Sequence, residues 1–355
     1  MDKKKLGYWL FFIALFLGPL YLTEFRLALL GKFLCFALVA LGICLIWGYT
    51  GILSLGHGVY FGLGAYCTAM YLKLEAAAGG TLPDFMEWSG VTALPSFWQP
   101  FSNPVFALSA SLLIPALLAA MLGFLTFKNR IKGVYFSLIS QAVVVVFVTL
   151  FVAKQDWTGG TNGLTNFTTF LGFSLASPLV QIALYLVTVL ILGASFALAA
   201  VLTKSRAGRV LSAVRDGENR VRFLGFNPTS YKVLVYSLSA ALAGLAGTLF
   251  VLQVGLISPA MMGIIPSIEM VLWVAVGGRH SLIGAILGAI IVNSAKSFFS
   301  ESYPDIWSIF LGLLFIIMVM FLPNGIAGAV NSWNEKRIKS KQKGGTADAA
   351  DSVVS

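Results

Sequence analysis

The chain has 355 residues, 58% of them hydrophobic and 11% charged, with a mean hydropathy of +0.88 and a formal net charge of +10. Soluble domains carry about 25% charged residues, so the composition excludes a soluble globular protein and places the chain in a bilayer. Its Lys and Arg cluster between apolar runs, as positive-inside loops do, so the net charge is not a nucleic-acid footprint.

A bilayer core about 30 Å thick takes roughly 20 apolar residues per helix. Apolar runs at 7–23, 27–47, 58–74, 104–127, 133–153, 178–203, 231–252, 263–277, 281–299 and 306–323 predict about ten such spans. The expected fold is all-α: a polytopic transmembrane helical bundle with broken helices and a helix on the cytoplasmic side. One transmembrane domain covers 1–330, with a disordered cytoplasmic tail at 331–355 that is polar and rich in Lys, Gly, Ser and Ala. The run Leu6–Leu22 resembles a signal peptide, but no small-residue cleavage site follows, so it reads as the first span. Placing Lys3–Lys5 inside puts 128–132, 204–230 and 324–355 inside as well, with both termini cytoplasmic. The loop 75–103 falls outside; it contains Glu75, Asp84 and Glu87 but no Lys or Arg. Cys35, Cys44 and Cys67 lie in apolar runs without metal or disulfide spacing, and read as small buried hydrophobes.

The first candidate site follows the second span. Gly48-Tyr49-Thr50-Gly51, then Ser54, Gly56, His57 and Gly58, favour a break in the helix. Irregular backbone at membrane depth survives where protein buries it or where it lines a wet cavity. Tyr49, Thr50, Ser54, Gly56 and His57 are therefore candidate pathway residues. A tight turn with close helix contact through Gly58-xxx-Gly62 explains the pattern equally well. Asp156 to Gly163 is a glycine-rich outer loop, able to touch a delivered solute or simply to connect two spans. Glu269 follows Pro266 inside a short apolar run. It either caps a half-helix in the pathway or pairs with Arg279 or Lys296, and the balance falls on the pair. Arg26, Lys32 and Lys296 are further charges near or within spans, which face the bundle interior or snorkel. A second glycine break lies at Gly277-Gly278, with His280 beside it and Gly284-xxx-Gly288 after it. The two breaks hint at an internal repeat of the kind transporters carry. Neither histidine has a partner at metal-ligand spacing.

The polar segment 204–230 stands between two apolar runs. Lys204, Arg206, Arg209, Arg215, Arg220 and Arg222 mark it, opposed by Asp216 and Glu218. Val210, Leu211, Val214, Val221 and Leu224 recur near every three or four residues, which predicts a short amphipathic helix. Gly225 and Pro228 stop it. Such a helix either docks into a cytosolic motor or lies on anionic lipid; the compact Leu224-Gly225-Phe226 knob favours docking.

Gly208 to Asn219, Leu224-Gly225, Tyr231-Lys232 and Ala240 to Gly247 together resemble the membrane permeases of branched-chain amino acid ABC importers. Gly48–Gly58 with Gly64-Ala65-Tyr66, Thr158 to Gly163, and Glu269 with Gly277-Gly278 match further motifs of that family in the same order. The resemblance covers about residues 27 to 325. Within the family, Gly31 to Phe36, Ile46 to Gly51, Lys296 to Glu301 and Tyr303 to Trp307 are most similar to the permease of the urea importer. The resemblance implies that 204–230 couples the permease to its ATPase through Arg206, Gly208, Arg209, Ala213, Arg215, Glu218, Leu224 and Gly225. It also implies a second, homologous permease chain, two ATP-binding subunits, a periplasmic substrate-binding protein and a bacterial inner-membrane location. The chain contains no G-x-x-x-x-G-K-[ST] sequence, so ATP is used by a partner and no cofactor or covalent chemistry is expected here.

The expectation is a permease subunit translocating urea or short amides by alternating access. The alternatives are a branched-chain amino acid permease, whose substrate would use Glu269, Arg279 and Lys32 as ionic partners, and a passive urea or solute channel. A membrane enzyme lacks support, since no nucleophile–base set or paired carboxylates share a face.

Overall fold

The computed structural model describes residues 3–77, 81–131 and 133–302, together with isolated residues between 309 and 329. Ten helices of 14 residues or longer run through the described residues. They are α1 Lys3–Phe16, α2 Glu24–Thr50, α3 His57–Ala76, α4 Pro104–Lys128, α5 Val134–Ala153, α6 Pro178–Lys204, α7 Arg206–Phe223, α8 Pro228–Val254, α9 Ile264–Gly277 and α10 Leu282–Ser302. By length and composition α2, α4, α5, α6, α8 and α10 can each cross a membrane. The chain is thus an all-α polytopic membrane protein. The expected span 306–323 and the tail 331–355 lie largely or wholly outside the described residues.

Helices α2 and α8 form the centre, and α8 packs on α2, α3, α4 and α6. Helices do not gain hydrophobic burial by leaving lipid for one another, so small residues that allow close backbone approach carry the contact. Gly64 of α3 lies on the backbone of Gly244 in α8, and Gly247 lies on the carbonyl of Phe61. Pro115 cannot donate to Ser111 O within α4, and Gly244 fills the resulting groove against both residues. Polar pairs stitch the same seam: Thr68 to Thr248 at 2.9 Å, Tyr60 to Tyr236 at 2.6 Å and His57 Nε2 to Ser239 Oγ at 2.8 Å.

The first apolar run is not one helix. Pro19 has no N–H for Leu15 O, α1 stops at Phe16, and Gly18–Tyr21 makes a separate short turn. Tyr185 on α6 donates to the freed Leu15 carbonyl at 2.7 Å.

Two breaks interrupt the bundle at depth. Gly51 ends α2 in the left-handed conformation at φ 73°, and residues 51–56 run without helix until α3 begins at His57. Serines of α5 hold this backbone: Leu55 N donates to Ser140 Oγ at 3.0 Å, and Ser137 Oγ donates to Leu53 O at 2.7 Å. From the other end, Gly255 (φ 73°) closes α8. Strand β1 Leu164–Thr165 then pairs with the later strand Leu256–Ile257, and Pro259–Met262 forms a 3₁₀ turn before α9. The glycine-rich loop before α6 is therefore attached to the chain that leads into α9. The two breaks meet where Gly58 N donates to Ser267 Oγ at 3.3 Å. With 14 residues, α9 is about 21 Å long, short of a full crossing.

Replacing Gly244 with Val should lower the detergent melting temperature, because overpacking this contact costs about 1–3 kcal/mol. Gly193→Val, at a position whose nearest neighbour is a Phe12 ring carbon at 3.7 Å, should leave it nearly unchanged. Equal melting curves for the two variants would contradict the packing described.

Candidate functional site

One end of the bundle carries α7 and the other carries Glu75, Asp84 and the β1 pair. At the α7 end, Ser205 Oγ accepts the Gly208 N–H at 3.2 Å and caps the helix. Gly208 leaves no room for a Cβ against the carbonyls of Leu202 and Thr203, which sets the sharp elbow between α6 and α7. Leu211, Val214 and Val221 are buried, as their spacing requires. The backbone leaves helical geometry at Gly217. Phe223, Leu224 and Phe226 stand exposed at the far tip, where Gly225 turns the chain at φ 85°.

The eight residues expected to couple to a motor divide by the direction they face. Arg206, Arg209, Ala213, Leu224 and Gly225 are exposed. Gly208 forms the elbow. Glu218 reaches inward, whereas Arg215 is exposed and spans outward and inward partners: its Nε donates to exposed Asp216 at 2.8 Å, and its Nη1 donates to Gly48 O at 2.8 Å and lies 3.3 Å from His280 Nδ1. Glu218 accepts from Lys232 at 2.7 Å and from Arg222 at 3.2 Å, with its side chain and that of Lys232 nearly closed to solvent. Arg215 and Glu218 therefore bind α7 to the bundle, while the tip and the outer arginines remain presented.

His280 lies between two guanidiniums, with Arg279 Nε 3.2 Å from its Nε2. A neutral imidazole has one acceptor nitrogen and a protonated ring has none. Burial, Arg279 and Arg215 together hold its pKa below the ordinary 6.5, against opposition from the Gly48 backbone and Asp216. The folded state therefore prefers the neutral ring. Its contribution is complete above pH 6.5 and is lost as pH falls, because the unfolded ring takes up its proton first.

At the depth of the breaks, α2, α9 and α10 enclose a cavity of about 440 Å³. Lys32, Glu269, Asn293 and Lys296 provide its polar lining. Lys296 Nζ lies 2.7 Å from both oxygens of Glu269, so the ion pair read from the sequence forms with Lys296. Arg279 instead sits over the Trp47 ring at 5.7 Å. Beneath the charges lies an aromatic floor: Phe36 and Trp273 are 4.8 Å apart, and Phe36 and Phe250 are 5.5 Å apart.

The other expected pathway residues do not line this cavity. His57 and Ser54 are wholly buried, and Ser54 accepts from Gly56 N at 3.3 Å. Gly56 packs on Ser140 O. Thr50 bonds back to Ile46 O and lines a smaller cavity of about 230 Å³ under α7, with Arg215 and Lys232. Tyr49 is half-buried at the same end. Sequence reasoning missed Asn293 and the aromatic floor. Asn293 lies one helical turn before the flagged Lys296, and Phe36 one turn after Lys32; spacing from a charged residue was the available signal.

A bundle of discontinuous helices around a polar cavity, with an amphipathic helix braced across one end, defines a solute permease. The sequence matches the family described as branched-chain amino acid transport system / permease component over residues 25–319, and the chain belongs to that family. It is 25% identical to the high-affinity branched-chain amino acid transport system permease protein LivM of Salmonella typhimurium, covering 82% of this chain and 67% of that protein. Identity to the corresponding permease protein BraD of Pseudomonas aeruginosa is also 25%, over 82% of this chain and 91% of the relative. The ribose import permease protein RbsC of Escherichia coli is 26% identical over 54% of this chain and 60% of its own. No solved structure matches.

Two outcomes follow from the basic end. Glu218→Gln removes the charge of the buried carboxylate that accepts from Lys232 and Arg222 and should cost about 3–5 kcal/mol, visible as a fall in melting temperature. Hydrogen exchange across α7 should speed up below pH 6.5, after correction for the intrinsic rate, and His280→Gln should remove that pH dependence.

Proposed function

We propose that this chain is a permease subunit of an ATP-driven ABC importer, and that it passes a small amino acid across a bacterial inner membrane by alternating access. Its partners are a second, related permease chain, two ATP-binding subunits and a periplasmic substrate-binding protein, and its α7 end faces the cytoplasm with both termini. The observation that carries this reading is the bracing of α7. The helix offers an exposed apolar tip to a partner, while Arg215 holds the inner end of α2, the helix that carries Lys32 into the cavity. Motion of a docked ATPase would reach the cavity along α2 without being absorbed by a flexible joint. The positive-inside rule supports the orientation, since Lys128 and Arg130 cluster with α7.

The amino-acid reading is favoured over urea, to which several stretches have a sequence likeness. The family description and the names of LivM and BraD specify branched-chain amino acids. The cavity presents two ammonium groups and a carboxylate above aromatic rings, whereas urea has neither charge nor tail to match them.

Leu224→Asp, at an exposed tip position, should abolish ATP-driven uptake in proteoliposomes containing the partner subunits while leaving the melting temperature of the permease unchanged. Uptake that persists in vesicles without ATP would overturn the importer reading in favour of a passive channel.

A further inference from the structure

Three helices arrange the cavity into two levels. On α2, Lys32 lies one turn from Phe36; on α9, Glu269 lies one turn from Trp273. Residues four apart share a helix face about 5–6 Å apart. Both helices run from the cavity toward the α7 end, so each places its charge on the same side of its ring. The 4.8 Å contact between Phe36 and Trp273 joins the two lower residues into one floor. Helix α10 adds Asn293, Lys296 and Ser297. The result is a polar upper ring above an apolar base.

The charges in that ring do not balance. Glu269 and Lys296 satisfy each other at 2.7 Å. Lys32 is half-buried; it feels the charges of both Glu269 and Lys296, but no hydrogen bond or salt bridge to it occurs among the described residues. The ring thus holds one excess positive charge at membrane depth, where an unpaired charge is costly and marks a solute or ion pathway.

We infer that Lys32 is the anchor for the α-carboxylate of an amino acid in transit. Glu269 receives the α-ammonium, and the solute's apolar side chain lies against Phe36 and Trp273. The match is geometric as well as electrostatic: a ligand held at Lys32 reaches the aromatic floor one helical turn deeper, the distance between the head and the branched tail of a small apolar amino acid. This assignment rests on the permease reading and names the substrate chemistry of the same cavity. It makes Lys32 a specificity-determining residue, selecting solutes that combine a carboxylate with an apolar tail.

The test is saturation-transfer NMR on the full chain in lipid nanodiscs, with leucine, leucinamide and urea as probes. Wild type should contact leucine and favour it over leucinamide, which keeps the ammonium and the tail but lacks the carboxylate. Lys32→Gln should weaken leucine binding by about tenfold or more and erase that preference, while Lys32→Arg should retain it. Thermal melting of each variant separates a lost anchor from a lost fold. Equal leucine binding in wild type and Lys32→Gln would overturn the assignment, as would wild-type binding of leucinamide as strong as that of leucine, or no leucine binding at all. The permease reading is judged separately: ATP-dependent uptake that survives Lys32→Gln leaves the importer intact and removes only the anchor.

Discussion

Hydrocarbon offers no partner to a backbone amide, and that constraint organises this protein. Every N–H or C=O freed from a helix inside the bundle must meet another group of the chain. The break at 51–56 exists because Ser137 and Ser140 of α5 bond its backbone. The carbonyl freed at Pro19 meets Tyr185, and the start of α3 is tied to Ser267 at the start of α9. Without these partners the helices would run straight through, and no charged residue could be held beside an aromatic floor at that depth.

The breaks matter because the helices around them do not yield. Glycine contacts seat α3 against α8 and α9 against α10 with no spare volume, so a push on one end of a helix arrives at the other. Helix α2 meets Arg215 at its C-terminal end and carries Lys32 toward the cavity. Helix α9 ends beside Arg279 and His280 and carries Glu269 near its start. The loop from Gly278 to Ser281 closes on α2 through Cys44 Sγ and Arg279 O at 3.3 Å, joining the two helices where α7 touches them. A change at α7 therefore bears on both polar helices of the cavity at once.

Much of the architecture was legible in composition. Nine of the ten expected apolar runs fall on helices among the described residues, and the buried stripe of α7 follows from the spacing of Leu211, Val214 and Val221. The glycine breaks at 48–58 and 277–278 were also readable, since few other arrangements place so many glycines beside polar residues in an apolar chain. The candidate site was less legible. His57 and Ser54 carry polar groups in a broken segment, as pathway residues would, yet they face α5 and α8 and are closed off. Nothing in local sequence distinguishes a polar group aimed at a cavity from one aimed at a neighbouring helix.

The sequence by itself determined that the chain is a helical membrane protein, where its two glycine-marked breaks fall, and which end bears the positive charge, because those properties depend on runs and periods a few residues long. Only the tertiary structure decided that Glu269 meets Lys296 and not Arg279, that Arg215 bonds Gly48 while Glu218 turns inward, and that Lys32 and Asn293 share a cavity over Phe36 and Trp273. These are choices between residues up to 261 positions apart, made by how three helices rotate about their axes when their small residues come into contact. That rotation is set by shape complementarity across the whole bundle, and no local stretch of the chain encodes it.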